Sequence, residues 1–112
     1  MEFYYHDVQR DVLILRADGG IDSHNVQAFL NELQRLIEAG AKKLLVDCSR
    51  IGYLSSVGIT ALIRLHKRMA EHGGEVKLAN VQGPLFRLLE ITRLDQVFQI
   101  YPTVDDALRA FE

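Results

Sequence analysis

The chain has 112 residues, of which 48% are hydrophobic and 25% charged, and its net charge is −2. That length fits a single domain over residues 1–112 with one hydrophobic core, and that charge argues against a general nucleic-acid binder, which needs a basic surface. No apolar run approaches the length of a membrane span. The start, MEFYYHDVQRD, lacks the basic-then-apolar order of a signal peptide. Cys48 is the one cysteine; it has no partner for an internal disulfide, and the expected home is a reducing cytoplasm.

Phe3, Tyr5 and Val8 open the chain with rough alternation, the mark of a strand. Gln9-Arg10-Asp11 reads as a turn, and Val12 to Ala17 (VLILRA) as a second, more apolar strand. Strands joined by so short a link form an antiparallel hairpin. Gly19-Gly20 then breaks the strand. Asp22 or Ser23 is expected to cap a helix with apolar positions Val26, Phe29, Leu30, Leu33, Leu36 and Ile37, stopped at Gly40.

Leu44, Leu45 and Val46 form a short apolar run that reads as a buried strand, ended by Asp47 and Cys48. A loop, SRIGYL, leads to Ser55 and Ser56. A helical pattern follows at Ile59, Leu62, Ile63, Leu65 and Met69, with Leu62 and Leu65 expected to face the sheet, and it ends at Gly73-Gly74. Serine at a loop–helix junction is a good N-cap, because its hydroxyl accepts from a free backbone N–H. The same place favours anions, through the helix dipole and the unpaired donors.

Glu75 to Ala79 reads as the next strand. Pro84 suits the first turn of a third helix with Leu85, Leu88 and Leu89 inward. Val97 to Ile100 is expected as a short last strand. Pro102-Thr103 opens a final helix with Val104, Ala107, Leu108 and Phe111 on one face. The fold class is therefore α/β, with the order β-β-α-β-α-β-α-(β)-α. The expectation is a mixed sheet of four to five strands, with one antiparallel edge hairpin, parallel crossovers and about four flanking helices.

The central pattern resembles the STAS family, in particular the small anti-sigma factor antagonists (anti-anti-sigma factors) of bacteria. Val46-Asp47-Cys48-Ser49 and Tyr53-Leu54-Ser55-Ser56-Val57-Gly58-Ile59 carry the resemblance, and it extends over nearly the whole chain, to Asp106-Ala107-Leu108. Ser56 falls where the family has its phosphorylated serine, with Ser55 the alternative. Ser55 stands where many members have Asp, and Val57 where some have a second Ser. The resemblance implies a STAS fold and a phosphoswitch without enzymatic activity. Unphosphorylated, such a protein binds a serine-kinase anti-sigma factor; phosphorylated, it lets go until a serine phosphatase restores it. It also implies that the Asp22-Ser23-His24 loop lies beside the phosphoserine loop and touches the kinase. Asp22, Ser23, His24, Ser55, Ser56, Val57 and Gly58 are then the expected partner-binding residues.

The residues by themselves leave other readings open. Ser56 can be a plain helix cap, and capping is compatible with phosphorylation. It can be a hydrolase nucleophile, although the elbow motif needs glycine two residues before and two after, and Leu54 replaces the first while Gly58 supplies the second. A small α/β hydrolase and a STAS accessory subunit, of a lipid-transport complex or a stress-signalling scaffold, are the alternatives. Asp22-Ser23-His24 holds triad letters, but adjacent residues cannot converge as a triad does. Asp47 is a turn-forming carboxylate or part of the partner surface. The four histidines show no ligand spacing, so no metal is expected, and with no phosphate-binding glycine loop no nucleotide or other cofactor is expected. Arg64, Lys67 and Arg68 form a basic stripe, read as a solvated face with Lys67 pairing Glu71 at i,i+4.

Overall fold

The computed structural model describes residues 2–9, by backbone alone, and residues 11–112 in full. Among these residues five strands form one sheet in chain order: β1 (Glu2–Gln9), β2 (Val12–Asp18), β3 (Lys43–Asp47), β4 (Glu75–Ala79) and β5 (Gln99–Tyr101). β1 and β2 are antiparallel and every later pairing is parallel. The helices are α1 (Val26–Glu38), α2 (Ser56–Glu71), α3 (Gly83–Ile91) and α4 (Val104–Ala110). This is the expected mixed sheet with its edge hairpin. Gln9 pairs with Val12, and Asp11 turns the chain at φ 65°. Arg10 and the side chains of Phe3, Tyr5 and Val8 lie outside the described residues.

Alternation along the strands builds two layers. Leu15, Ala17, Leu44, Val46, Val76 and Leu78 point to the face covered by α1, α2 and α3, where Phe29, Leu33, Leu62, Leu65, Met69, Leu85 and Leu89 meet them. Leu62 and Leu65 face the core, as the spacing predicts. Val12, Ile14, Leu45 and Ala79 point the other way, against Ala107, Leu108 and Phe111 at the α4 end. The run Leu44-Leu45-Val46 is buried throughout because a central parallel strand is covered on both sides.

Two helix ends are set by glycine. Gly40 (φ +96°) and Gly73 (φ +73°) each follow a C-cap. The N–H groups of Gly40 and Ala41 donate to the carbonyls of Ile37 and Leu36, and those of Gly73 and Gly74 to Ala70 and Met69. Both are closed Schellman turns, with left-handed backbone that glycine adopts at little cost.

Four expectations need correction. The N-cap of α1 is Asn25, not Asp22 or Ser23, and no side chain caps it. The Asn25 amide turns back instead: Oδ1 accepts from the Asp22 N–H at 2.9 Å, and Nδ2 donates to the Gly20 carbonyl at 2.7 Å. The N-cap of α2 is Ser55, whose hydroxyl accepts from the Gly58 N–H at 3.4 Å; Ser56 is the first helical residue. The last strand begins at Gln99, not Val97. A 3-10 turn at Leu94–Gln96 buries Leu94 and Phe98 and leaves Val97 exposed, so Val97 and Phe98 are spent on the turn. Lys67 and Glu71 form no ion pair among the described residues. A smaller difference is Leu88, which is half-buried, while Leu85 and Leu89 are fully inward.

Candidate functional site

The site is built where two loops leave the same end of the sheet. One runs from β2 to α1, residues 19–25; the other runs from β3 to α2, residues 48–55. Backbone hydrogen bonds stitch them together. The Gly19 N–H donates to the Arg50 carbonyl at 2.9 Å, the Ile21 N–H to Tyr53 at 3.1 Å, and the Ser55 N–H to Ile21 at 2.9 Å. Ile21 and Leu54 form a parallel bridge, and both side chains are buried. The two loops therefore behave as a short strand pair pinned to the core.

That bridge sets where α2 begins. Once the Ser55 N–H is held by Ile21, Ser55 stays extended (φ −78°, ψ 176°) and the helix starts at Ser56. Gly58 sits against the bridge. A Cβ there would lie 2.8 Å from the Ile21 carbonyl oxygen and 3.1 Å from its Cβ, so the close approach of α2 to the Ile21 backbone needs a residue with no side chain.

Ser55 is half-buried and its hydroxyl is engaged by Gly58. Ser56 is exposed, and its carbonyl accepts from the Thr60 hydroxyl at 3.1 Å. At the first helical position the Ser56 side chain stands beside N–H groups that have no intrahelical acceptor. An anion on it would meet the positive end of the helix dipole. Val57, next in line, is exposed.

The Asp22-Ser23-His24 segment is held alongside. The Tyr53 hydroxyl donates to Asp22 Oδ2 at 2.7 Å, across 31 positions of sequence. Asp22 Oδ1 accepts from the His24 N–H at 2.8 Å, an Asx turn. These bonds, Tyr53 first, hold the Asp22 carboxyl below the usual carboxylate range. The same carboxylate pushes the Tyr53 phenol up, because it stabilises the protonated form. Ser23 and His24 are exposed at the loop tip. All seven expected residues thus lie on these two joined loops and the first turn of α2.

Asp47 is not on that exposed surface. It is buried, and Oδ1 accepts from the Ser49 N–H at 3.1 Å and from Asn80 Nδ2 at 3.0 Å. It shapes the turn after β3, one of its two expected roles. Tyr53 escaped the sequence reading. Its signal was the alternation around Leu54: with Leu54 inward, Tyr53 must face out, and it is 51% exposed. Its ring packs over Gly20, where any side chain would collide with it.

Among the described residues no helix is long and apolar enough to cross a membrane. The STAS domain model matches residues 6–107, which hold both stitched loops and the serine-led helix. The chain belongs to the STAS domain family. It is 30% identical over 82 residues to the anti-sigma-B factor antagonist of Bacillus subtilis, covering 73% of this chain and 74% of that one. It is 25% identical over 104 residues to the anti-sigma F factor antagonist of Paenibacillus polymyxa, covering 92% and 89%. The crystal structure of an anti-sigma factor antagonist from Mycobacterium paratuberculosis superposes with a TM-score of 0.85 at 27% identity, covering 97% of this chain and 92% of that chain.

Proposed function

We propose that the protein is an anti-sigma factor antagonist working as a phosphoswitch on Ser56. Unphosphorylated, it binds a serine-kinase anti-sigma factor in the cytoplasm and frees the sigma factor. Phosphorylated by that kinase, it releases it until a serine phosphatase removes the phosphate. The protein regulates by binding and catalyses nothing itself. The relatives named above are antagonists of anti-sigma factors, which supports the partner class.

One observation carries the choice of serine. Ser55 spends its hydroxyl on the cap, while Ser56 is exposed at the first turn and its Oγ makes no hydrogen bond among the described residues. A kinase must reach the hydroxyl, and the fold must tolerate the product. Ser56 meets both conditions. Phosphate there adds roughly −1.5 to −2 charges at neutral pH, which the helix N-terminus favours. The domain stays folded, and the cost falls on a partner surface that must accept a dianion in place of a hydroxyl. A penalty of about 3–4 kcal/mol weakens binding by two to three decades.

Asp22, Ser23, His24, Ser55 and Val57 complete the contact surface in this reading, while Gly58, expected there too, is buried against Ile21 and supports the surface from beneath. Calorimetry with the cognate kinase tests it. Ser56→Asp should keep its circular dichroism and lose the kinase; Ser56→Ala should keep the kinase and resist phosphorylation. Tight binding by Ser56→Asp would sink the proposal.

A further inference from the structure

The exposed side of α2 carries more than Ser56. At about 100° per residue, Ser56, Val57, Thr60, Arg64, Lys67, Arg68 and Glu71 fall within one arc of about 120°, and all seven are exposed. The opposite side, from Gly58 to Met69, is buried against the core. Arg68 spends its guanidinium on the Gln34 side chain. Arg64 and Lys67 make no ion pair among the described residues. With Arg64, Lys67 and Arg68 against Glu71 at its C-terminal end, the arc is net positive on a chain whose net charge is −2. At its N-terminal end stand Tyr53 and Val57, large side chains that are 51% and 38% exposed. Exposed aromatic side chains and arginine are both enriched at protein interfaces.

We propose that the partner surface continues from Tyr53 and Val57 along α2, and that an acidic surface of the partner protein seats on Arg64 and Lys67. This inference rests on the reading of Ser56 as the switch, and it extends the surface past the two loops. Arg64 lies about 12 Å and Lys67 about 16 Å along the helix axis from Ser56. That span fits the footprint of a single interface of about 800 Å² per partner.

The net positive arc draws an acidic face and speeds its encounter. A phosphate on Ser56 puts a dianion at the N-terminal end of the same arc. Arg64 and Lys67 lie beyond the screening length of about 8 Å at physiological salt, so the phosphate acts on the part of the partner seated over the first turn of α2. A lipid surface fits poorly, because α2 has its apolar side in the core and exposes only Val57 among its large apolar side chains.

The test uses the full chain and the purified serine-kinase anti-sigma factor that phosphorylates it, with ADP present so that no phosphate is transferred. Binding rates are recorded at low and physiological salt for wild type, for the Arg64→Glu/Lys67→Glu double variant and for Ser56→Asp. Melting curves confirm that each variant folds. The double variant should bind about 10- to 100-fold more weakly, mainly through a slower on-rate, and with a flatter salt dependence. If it binds like wild type with the same salt slope while Ser56→Asp lets go, the inference falls and the switch reading stands. If Ser56→Asp binds like wild type while the double variant lets go, the switch reading falls and the surface stands. Capture on phosphatidylserine vesicles that the double variant loses, with kinase binding unchanged, would assign the strip to a membrane and overturn the inference.

Discussion

Replacing Ser55 with alanine removes the hydroxyl that accepts from the Gly58 N–H at the start of α2. At 3.4 Å the bond is long for N–H···O, which argues for the low end of the ~0.5–2 kcal/mol range for cap removal. Gly58, however, is buried, so water does not easily replace the lost acceptor, and an unsatisfied buried donor costs about 1–3 kcal/mol. The two considerations meet near 1 kcal/mol, or a melting temperature about 3–6 °C lower. Ser56→Ala removes a hydroxyl that makes no hydrogen bond among the described residues and should stay within about 0.5 kcal/mol of wild type. Urea denaturation of both variants decides the matter, provided the m-value is unchanged. A loss at Ser56 equal to or larger than that at Ser55 would show that the helix begins one residue later and that the two serines have the opposite roles.

Gly58→Ala gains up to about 1 kcal/mol of helix propensity but drives a Cβ to 2.8 Å from the Ile21 carbonyl; a net loss of about 1–2 kcal/mol is expected, and a neutral or stabilising result in denaturant would mean the two loops are not tightly joined. Tyr53→Phe removes the largest influence holding the Asp22 carboxyl down. The Asp22 pKa should therefore rise toward its ordinary value in an NMR titration, and an unmoved pKa would deny the Tyr53–Asp22 contact. Burial, and then the neighbouring Asp47 charge, push the Cys48 thiol up to about 12. Native protein should resist iodoacetamide at pH 8 and react only once unfolded. Because the folded thiol holds its proton to higher pH than the unfolded one, stability should fall as pH rises from about 8.5 through about 12; rapid native labelling would refute the burial.

Much of the fold was legible because apolar spacing and glycine placement are local signals. Leu44-Leu45-Val46 declared a central strand, Gly40 and Gly73 declared helix ends, and Leu62 and Leu65 declared the inner side of α2. What escaped depends on residues distant in sequence. A Ser-Ser pair cannot say which serine caps; the Ile21 carbonyl, more than thirty positions earlier, holds the Ser55 N–H and settles it. Asp22 looked like a cap, but its carboxylate is taken by Tyr53 and the His24 N–H, so α1 waits until Val26. The run Val97 to Ile100 has strand composition throughout, yet the Phe98 N–H closes back on the Leu94 carbonyl at 2.9 Å, and pairing with β4 is left to Gln99–Tyr101. At the site, the family resemblance brought the two serines and the Asp22 loop together, while Tyr53 emerged only from the folded arrangement.

The central claim is that Ser56 is the phosphoacceptor. The chain is incubated with ATP and its serine-kinase anti-sigma factor, and phosphate is mapped by mass spectrometry in wild type, Ser55→Ala and Ser56→Ala. Phosphate is predicted on Ser56 in the first two and absent from the third. Phosphate on Ser55, on neither serine, or undiminished in Ser56→Ala would contradict it.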